Sequence, residues 1–315
     1  MEKQLMGYID TCDLISQFVG KLSKKIIQIL LFDRTTRRNI IWATTEYESY
    51  GTDFNEYQEI TWSVICGLHG DIIQPRIIKS NELQRKRTQL RAEVFTPSWV
   101  CNLQNNIIDN EWFGEKNVFN IAKDKTWITN KEIVKFPKNK SWKQYVDSKR
   151  LEITCGEAPY LASPYDTTTG VSIEVSERIG LLDRKLRVVN ENTHDEREWL
   201  KWVIRAYQSV YGYEFQGDNL LIARINLLHT FMDNLKYRWK REASFEELRG
   251  IARVISWNIW QMDAMTGTVP FGKSEKYELT NLFEQKNEER MPLQCRIMDW
   301  RSKTSVEFNS IRMKN

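Results

Sequence analysis

The chain is poor in the residues that most often hold metal ions or build disulfide frameworks. Its 315 residues include three histidines and five cysteines, all widely spaced. The cysteines are odd in number and form no C-x-x-C pair, which argues against both a disulfide framework and a zinc site. We therefore predict no metal site. The residues concerned are Cys12, Cys66, Cys101, Cys155 and Cys295, with His69, His194 and His229.

Proline, glycine and long apolar runs are also scarce. Seven prolines and 14 glycines leave no obvious flexible linker, and no segment repeats along the chain. No stretch approaches the ~18 apolar residues of a membrane-spanning helix. The first residues contain no apolar run that ends in a small-residue cleavage site. These absences predict a compact cytoplasmic protein without a membrane contact.

Basic residues are grouped, although the net charge is only +4. Arg85, Lys86 and Arg87 with Arg91 form a group of the kind that contacts phosphates, and we predict that it binds DNA. A solvated helix face is the alternative interpretation. Similar groups are Arg34/Arg37/Arg38 and Lys236/Arg238/Lys240/Arg241.

Hydrophobic periodicity divides the chain into two parts. Residues 1–90 show no clean period, and their fold is not assigned. A helix is predicted to begin with Thr96 as N-cap and Pro97 in the first helical position. We therefore expect an N-terminal region over 1–90 and the main domain over 91–315. The apolar residues at helical spacing after Pro97 are Val100, Leu103 and Ile107.

Strands and helices alternate in the main domain. The patterns at 151–155, 210–214 and near 257–263 are typical of short buried strands. Helical periodicity covers 196–210 between the first two strands. Alternation of this kind predicts a parallel sheet that binds ligands at the carboxyl ends of its strands.

Capping residues predict where two further helices begin. Asp218 follows the second strand and is expected to be the N-cap of the next helix. Ser244 and Glu247 have the spacing of a capping box ahead of the third strand. Both helices would lie between neighbouring strands of the sheet.

The three predicted strands end in residues that suit a nucleotide-like cofactor. Gly156 after the first strand would let a ligand approach the backbone, Glu214 after the second can accept ribose hydroxyls, and Asp263 after the third can meet an adenine amino group. Each feature is common when taken singly. Their order along the chain is the stronger signal.

Four runs, at 92–99, 151–160, 211–219 and 256–263, carry a resemblance to a known family. Their order resembles the cofactor half of adenine-N6 DNA methyltransferases with the motif order X, I, II, III, IV. Within that family the chain most resembles proteins labelled restriction endonuclease subunit M, over roughly residues 85–300. The resemblance implies an α/β, Rossmann-like S-adenosylmethionine-dependent methyltransferase fold with an N-terminal extension.

The same resemblance implies a site for S-adenosylmethionine. Glu214 would hold the ribose and Asp263 would face the adenine ring. A cationic sulfonium favours acids and backbone dipoles nearby, which agrees with these roles. The other implied residues are a segment along the methionine part, Phe95, Thr96 and Pro97, and a cofactor loop, Glu152, Cys155, Gly156 and Tyr160.

Two departures from the family pattern affect the cofactor loop. The second glycine of the first motif is replaced, and Glu157 and Pro159 stiffen a loop that should lie against the ligand. Gly156 and Glu214 are 58 residues apart (214 − 156), well beyond the ~20 of a simple cofactor-binding unit. We expect an insertion at about 161–198 that covers the cofactor mouth, touches nucleic acid or forms a plain surface excursion.

The third departure concerns catalysis. Methyl transfer to adenine needs acceptors and an aromatic face around the flipped base, which the family supplies with an Asn/Asp-Pro-Pro-Tyr/Phe loop. No such tetrapeptide occurs in the chain. We expect a subunit that binds cofactor or DNA and needs a second methyltransferase or specificity subunit. The alternatives are a catalytically inactive DNA-binding or regulatory relative and, least favoured, an autonomous enzyme with a substitute loop.

Overall fold

A computed structural model describes residues 22–66, 72–91, 96–272 and 292–312, which form a mixed α/β structure of helices and small sheets. The helices are α1 (Lys24–Leu31), α2 (Trp62–Cys66), α3 (Asn81–Arg91), α4 (Ser98–Phe113), α5 (Trp142–Asp147), α6 (Leu181–Asn192), α7 (Glu196–Gln208), α8 (Gly217–Trp239), α9 (Phe245–Asn258) and α10 (Phe308–Arg312). The strands are β1 (Asn120–Lys123), β2 (Thr126–Thr129), β3 (Arg150–Glu152), β4 (Val210–Glu214), β5 (Ile259–Gln261), β6 (Arg296–Asp299) and β7 (Thr304–Glu307).

The central sheet is parallel, with β4 between β3 and β5. Glu152 of β3 pairs with Gly212, and Glu214 of β4 pairs with Gln261, so the carboxyl ends of the strands lie at one edge. The predicted parallel sheet is therefore confirmed. Strand β3 is shorter than predicted because Thr154 has a left-handed φ of +44°, which ends the extended backbone. Antiparallel hairpins β1–β2 and β6–β7 lie outside this sheet.

Two helices, α6 and α7, lie between β3 and β4, and α6 lies within the predicted insertion at 161–198, whose residues 161–180 are mainly loop. Helix α6 packs against α5 and α7, and its Leu182, Leu186 and Val189 are fully buried. Arg184 and Lys185 on the same helix are buried as well. This part of the insertion belongs to the core, and its two buried cations are not available to nucleic acid.

Residues 22–66 share a hydrophobic core with the sheet and cover its β5 side. Helix α1 packs against α8 and α9. The buried guanidinium of Arg224 donates to the carbonyl of Ile259 at 2.8 Å and also to carbonyls at the end of α1. At Gly217, a Cβ atom would lie 2.0 Å from the carbonyl oxygen of Ile41, so this contact requires glycine.

The helix α8 does not use Asp218 as its N-cap. It begins at Gly217 after Gln216, and the Asp218 carboxylate turns instead into a buried cluster. One carboxylate oxygen accepts from Lys79 Nζ at 2.9 Å, from Arg87 at 2.7 Å and from the Tyr47 hydroxyl at 2.7 Å. Burial alone would raise the pKa of Asp218, but the two cations outweigh it and lower the pKa.

The other predicted caps have different outcomes. The Ser244–Glu247 capping box is confirmed at the start of α9. Helix α4 begins at Ser98, one residue later than predicted, and Pro97 is its N-cap. Over the described residues, no helix combines the length and apolar character needed to cross a membrane.

Replacing Asp218 with alanine should strongly destabilise the chain. The change removes the carboxylate that Lys79 and Arg87 share and leaves Arg87 its ion pair with Glu46, and breaking a buried ion pair in this way typically costs about 3–5 kcal/mol of unfolding free energy. Urea denaturation of the full chain measures the loss. Glu242→Ala, which removes an exposed pair with Lys236, is the control and should leave the unfolding curve nearly unchanged. Equal effects of the two variants would contradict the prediction.

Candidate functional site

A cavity of about 690 Å³ opens at the carboxyl ends of β3 and β4. Its volume is in the range of small-molecule sites. The predicted site residues that line it are Thr96, Glu152, Cys155, Gly156, Tyr160 and Glu214. Residues up to 118 positions apart in the sequence (214 − 96) thus come together in one place.

Gly156 and Glu214 are joined directly at the floor of the cavity. The Gly156 N–H donates to Glu214 Oε2 at 2.8 Å, and the Gln216 N–H donates to Oε1 at 3.2 Å. Gly156 has a φ of +53°, a left-handed conformation that glycine adopts without strain. The Cys155 N–H donates to the Tyr213 carbonyl at 2.8 Å and draws the loop onto β4.

Glu157, which the sequence suggests would stiffen the cofactor loop, points away from the cavity and holds the loop in place. Its carboxylate accepts from the Arg76 N–H and from the Tyr165 hydroxyl, both at 2.7 Å. The residue is buried. Glu157 therefore attaches the loop to Arg76 and to Tyr165.

Glu152 is a buried carboxyl at the inner wall. Burial raises its pKa to about 8, the N–H groups of Tyr160 and Leu161 donate to it at 3.3 and 3.1 Å and oppose the shift, and the charge of Glu214 adds to it. Burial and the same two carboxyls also raise the pKa of the Cys155 thiol. Cys155 therefore stays a protonated thiol, which does not suit it to act as a nucleophile.

The start of α4 forms one side of the cavity mouth. Thr96 lines the cavity, whereas Pro97 caps the helix and is not among the lining residues. The Ser98 N–H donates to the carboxylate of Asp166 at 2.7 Å, so a loop residue from the predicted insertion satisfies this helix end. Phe95 lies outside the described residues.

The lining also contains polar residues that the sequence pattern did not reveal. Asn105 donates to the carbonyls of Tyr160 and Ile179 at 3.0 Å each, and its buried Oδ1 has no hydrogen-bond partner among the described residues. An acceptor of this kind can receive a hydrogen bond from a ligand. The helical spacing of Asn102, Asn105 and Asp109 could have indicated a polar side of α4. The prediction of this helix used only its apolar residues. The other polar lining residues that were missed are Gln104, Thr154, Gln216 and Asn219.

Asp263 does not join the cavity. Its carboxylate accepts from the Met265 N–H at 2.8 Å in a tight turn, and its own N–H donates to Thr268. Strand β5 ends at Gln261. Because Asp263 lies beyond this strand end and is bonded within its own turn, we remove it from the predicted cofactor contacts.

The residues of the predicted DNA-binding group on α3 differ in their exposure to solvent. Arg87 is buried, with its guanidinium bonded to Asp218 and to Gln216, and is therefore unavailable to phosphate. Arg85 is exposed on the same helix. The side chains of Lys86 and Arg91 lie outside what the structure describes. Only Arg85 remains a candidate whose exposure is established.

The charge of the cavity decides which ligands suit it. Among its described lining residues there is no lysine, arginine or histidine, while Glu152 and Glu214 both contribute carboxyl groups. Such a lining offers no cation to a phosphate and favours a ligand with hydroxyl or amino donors. No cluster of three or more potential metal-binding side chains occurs in the described part of the chain.

Comparison with protein-family models, with curated proteins and with solved structures gives no match to this chain.

The pH dependence of stability should reveal the buried Glu152 carboxyl. Its folded-state pKa of about 8 lies above the ordinary 4.5, so the folded state holds an extra proton between these values. The unfolding free energy should therefore fall as pH rises from about 4.5 to 8, by at most ~1.4 kcal/mol per pH unit for one proton. Glu152→Gln should remove this slope in urea titrations at several pH values. The exposed Glu115→Gln variant is the control, and equal slopes in all three proteins would refute the assignment.

Proposed function

We propose that this chain is a DNA adenine-N6 methyltransferase-like subunit of a restriction-modification system, with a Rossmann-like fold that binds S-adenosylmethionine and needs a partner for methyl transfer. The observation that carries the proposal is the carboxyl-lined cavity in which Gly156 and Glu214 meet at the ends of β3 and β4. Ligands of open parallel sheets bind at such strand ends.

The chemistry of the lining supports S-adenosylmethionine over other nucleotides. The cofactor carries a sulfonium cation, ribose hydroxyls and the amino and carboxylate groups of its methionine part, but no phosphate. Glu214 lines the cavity and would accept ribose hydroxyls in addition to its two backbone N–H groups, and the unpaired Oδ1 of Asn105 would accept from an amino group. The bound cofactor would supply an electrophilic methyl group, and the cavity residues would bind and orient it.

The need for a partner rests on what the sequence does not contain. A transferred methyl group requires an adenine amine held against acceptors and an aromatic face, and the chain has no Asn/Asp-Pro-Pro-Tyr/Phe tetrapeptide. The same observation favours a second candidate function, a catalytically inactive DNA-binding or regulatory relative. Methylation of DNA by the chain together with its partner separates the two candidates.

Calorimetric titration with S-adenosylmethionine should give micromolar binding that Glu214→Ala weakens at least tenfold, equivalent to about 1.4 kcal/mol. The substitution removes a ribose acceptor and the bond to Gly156. Asp263→Ala is the control and should bind within twofold of the unchanged chain, because Asp263 does not line the cavity. Absence of binding by the unchanged chain would reject the cofactor. Transfer of labelled methyl groups by the purified chain alone would reject the requirement for a partner.

Arg85→Ala should weaken DNA binding and reduce the slope of log affinity against log salt by about 1, as expected for one lost phosphate contact. Fluorescence anisotropy over a salt series measures both quantities. Lys125→Ala, at an exposed cation on the β1–β2 turn, is the matched control. Unchanged affinity and slope in Arg85→Ala would show that this face of α3 does not contact DNA.

A further inference from the structure

The segment from residue 116 to residue 150 is strongly basic. It contains ten lysines and arginines and three acids, which give it a net charge of +7 (10 − 3), whereas the whole chain carries only +4. The rest of the chain is therefore acidic, with a net charge of −3 (4 − 7). Eight of the lysines in this segment are exposed in the folded protein. The positive charge of the chain is thus concentrated on one part of its surface.

Most of these exposed lysines have no acidic partner. Within the described ranges, Lys135 is the only one of the eight that forms an ion pair, at 3.6 Å to Glu132. Exposed cations elsewhere are often paired, as Arg38 is with Glu59 and Lys236 with Glu242. Unpaired like charges on one surface produce a positive potential that attracts anions.

A groove of about 620 Å³ lies between α5, in this segment, and α7. We call it the α5–α7 groove and define it by the lining residues Lys143, Asp147, Lys201, Trp202 and Arg205. Asp147 is its only acid among the described lining residues, and it is already bonded to the guanidinium groups of Arg205 and Arg301. Lys143 and Lys201 have no carboxylate partner in the part of the chain that the structure describes. The groove therefore has a net positive charge.

Two tryptophans form the aromatic side of the groove. Trp202 lines it and contacts Trp142 edge to face, with 4.8 Å between the ring centroids. The ammonium group of Lys143 lies 5.4 Å from the centroids of both rings. Cations next to an aromatic ring are the combination that proteins use to bind unpaired bases together with their phosphates.

The α5–α7 groove and the cavity lie at opposite ends of the central strands. Helix α5 ends at Asp147, just before β3, and α7 ends at Gln208, just before β4. The groove is therefore beside the amino ends of these parallel strands, whereas the cavity is at their carboxyl ends. No described residue lines both. A ligand of the groove is thus distinct from the ligand of the cavity.

The charge of the groove argues against a cover from this chain itself. Residues 1–21 contain three acids and two lysines, and residues 273–291 contain five acids and four cations, so each stretch has a net charge of −1. A second copy of the chain is basic like the first. Neither stretch supplies the excess of negative charge that a segment of +7 attracts, whereas a nucleic acid carries one negative charge per nucleotide.

We propose that the α5–α7 groove and the exposed lysines of residues 116–150 bind a single-stranded nucleic acid, whose phosphates contact the lysines while one base lies against Trp202. The tryptophan distinguishes this ligand from a simple polyanion, because an acidic polypeptide or a lipid headgroup would use the lysines alone. A duplex keeps its bases paired and stacked, and so offers none to the groove. Binding here needs neither the cavity nor a cofactor, and the inference therefore goes beyond the proposed function.

Fluorescence anisotropy of a short labelled oligothymidylate, titrated with the full chain over a salt series, tests the lysines. The double variant Lys143→Ala/Lys201→Ala should bind about tenfold more weakly and reduce the slope of log affinity against log salt by about 1.4, since each phosphate contact on a single strand contributes about 0.7. Lys24→Ala/Lys25→Ala, at two exposed lysines of α1, is the matched control and should bind within twofold of the unchanged chain. No binding by the unchanged chain at low salt, or equal losses in the two double variants, would overturn the proposal.

The contribution of the tryptophan is tested separately. Trp202→Leu should weaken oligothymidylate binding about tenfold with the salt slope unchanged, and Trp202→Phe, which keeps an aromatic ring, should retain affinity within about threefold. Unchanged affinity in Trp202→Leu, or equally tight binding of a duplex or of polyglutamate by the unchanged chain, would contradict a base in the groove. All these variants should bind S-adenosylmethionine like the unchanged chain. Failure of the unchanged chain to bind that cofactor would reject the proposed function and leave this inference standing.

Discussion

The buried guanidinium of Arg184 is the interaction that holds helix α4 in its orientation beside the candidate site. It joins α6 to three polar residues of α4, and Asn102 of that helix continues the network to Asn120 of β1. A buried cation is stable only when its donors are satisfied, so the polar side of α4 must face inward. That orientation brings Asn105 to the cavity and leaves Ile107 at the surface.

A second constraint is the collection of carboxylates around the sheet ends. Asp218 is compensated by Lys79 and Arg87, whereas Glu152 has only backbone donors and neighbours Glu214. Lys79 and Arg87 thus stabilise the carboxylate of Asp218. No lysine or arginine occurs among the described residues that line the cavity. The described lining thus offers hydrogen-bond acceptors and no cation, because the nearby Lys79 and Arg87 are bonded to Asp218.

Features governed by local physics could be predicted from the sequence. Strand β4, the Ser244–Glu247 capping box and the parallel order of the strands follow from short patterns of apolar, glycine and capping residues. The grouping of Glu152, Gly156 and Glu214 follows from that order, because parallel strands end at one edge. The cofactor, the partner and the methyltransferase-like function stay predictions.

Features governed by distant partners could not be predicted. Arg87 has the sequence context of a phosphate contact, yet it pairs with the carboxylate of Asp218, 131 residues away. Because Asp218 is bonded in this pair, it does not act as the predicted N-cap of α8. The helical spacing of Val100, Leu103 and Ile107 predicted helix α4 but not which of its sides is buried, and the bonds of Arg184 hold the polar side inward while Ile107 stays exposed. The sequence by itself determined which segments become strands and helices and in what order they meet. Only the tertiary structure decided which charged groups are buried, because that depends on partners brought together by folding.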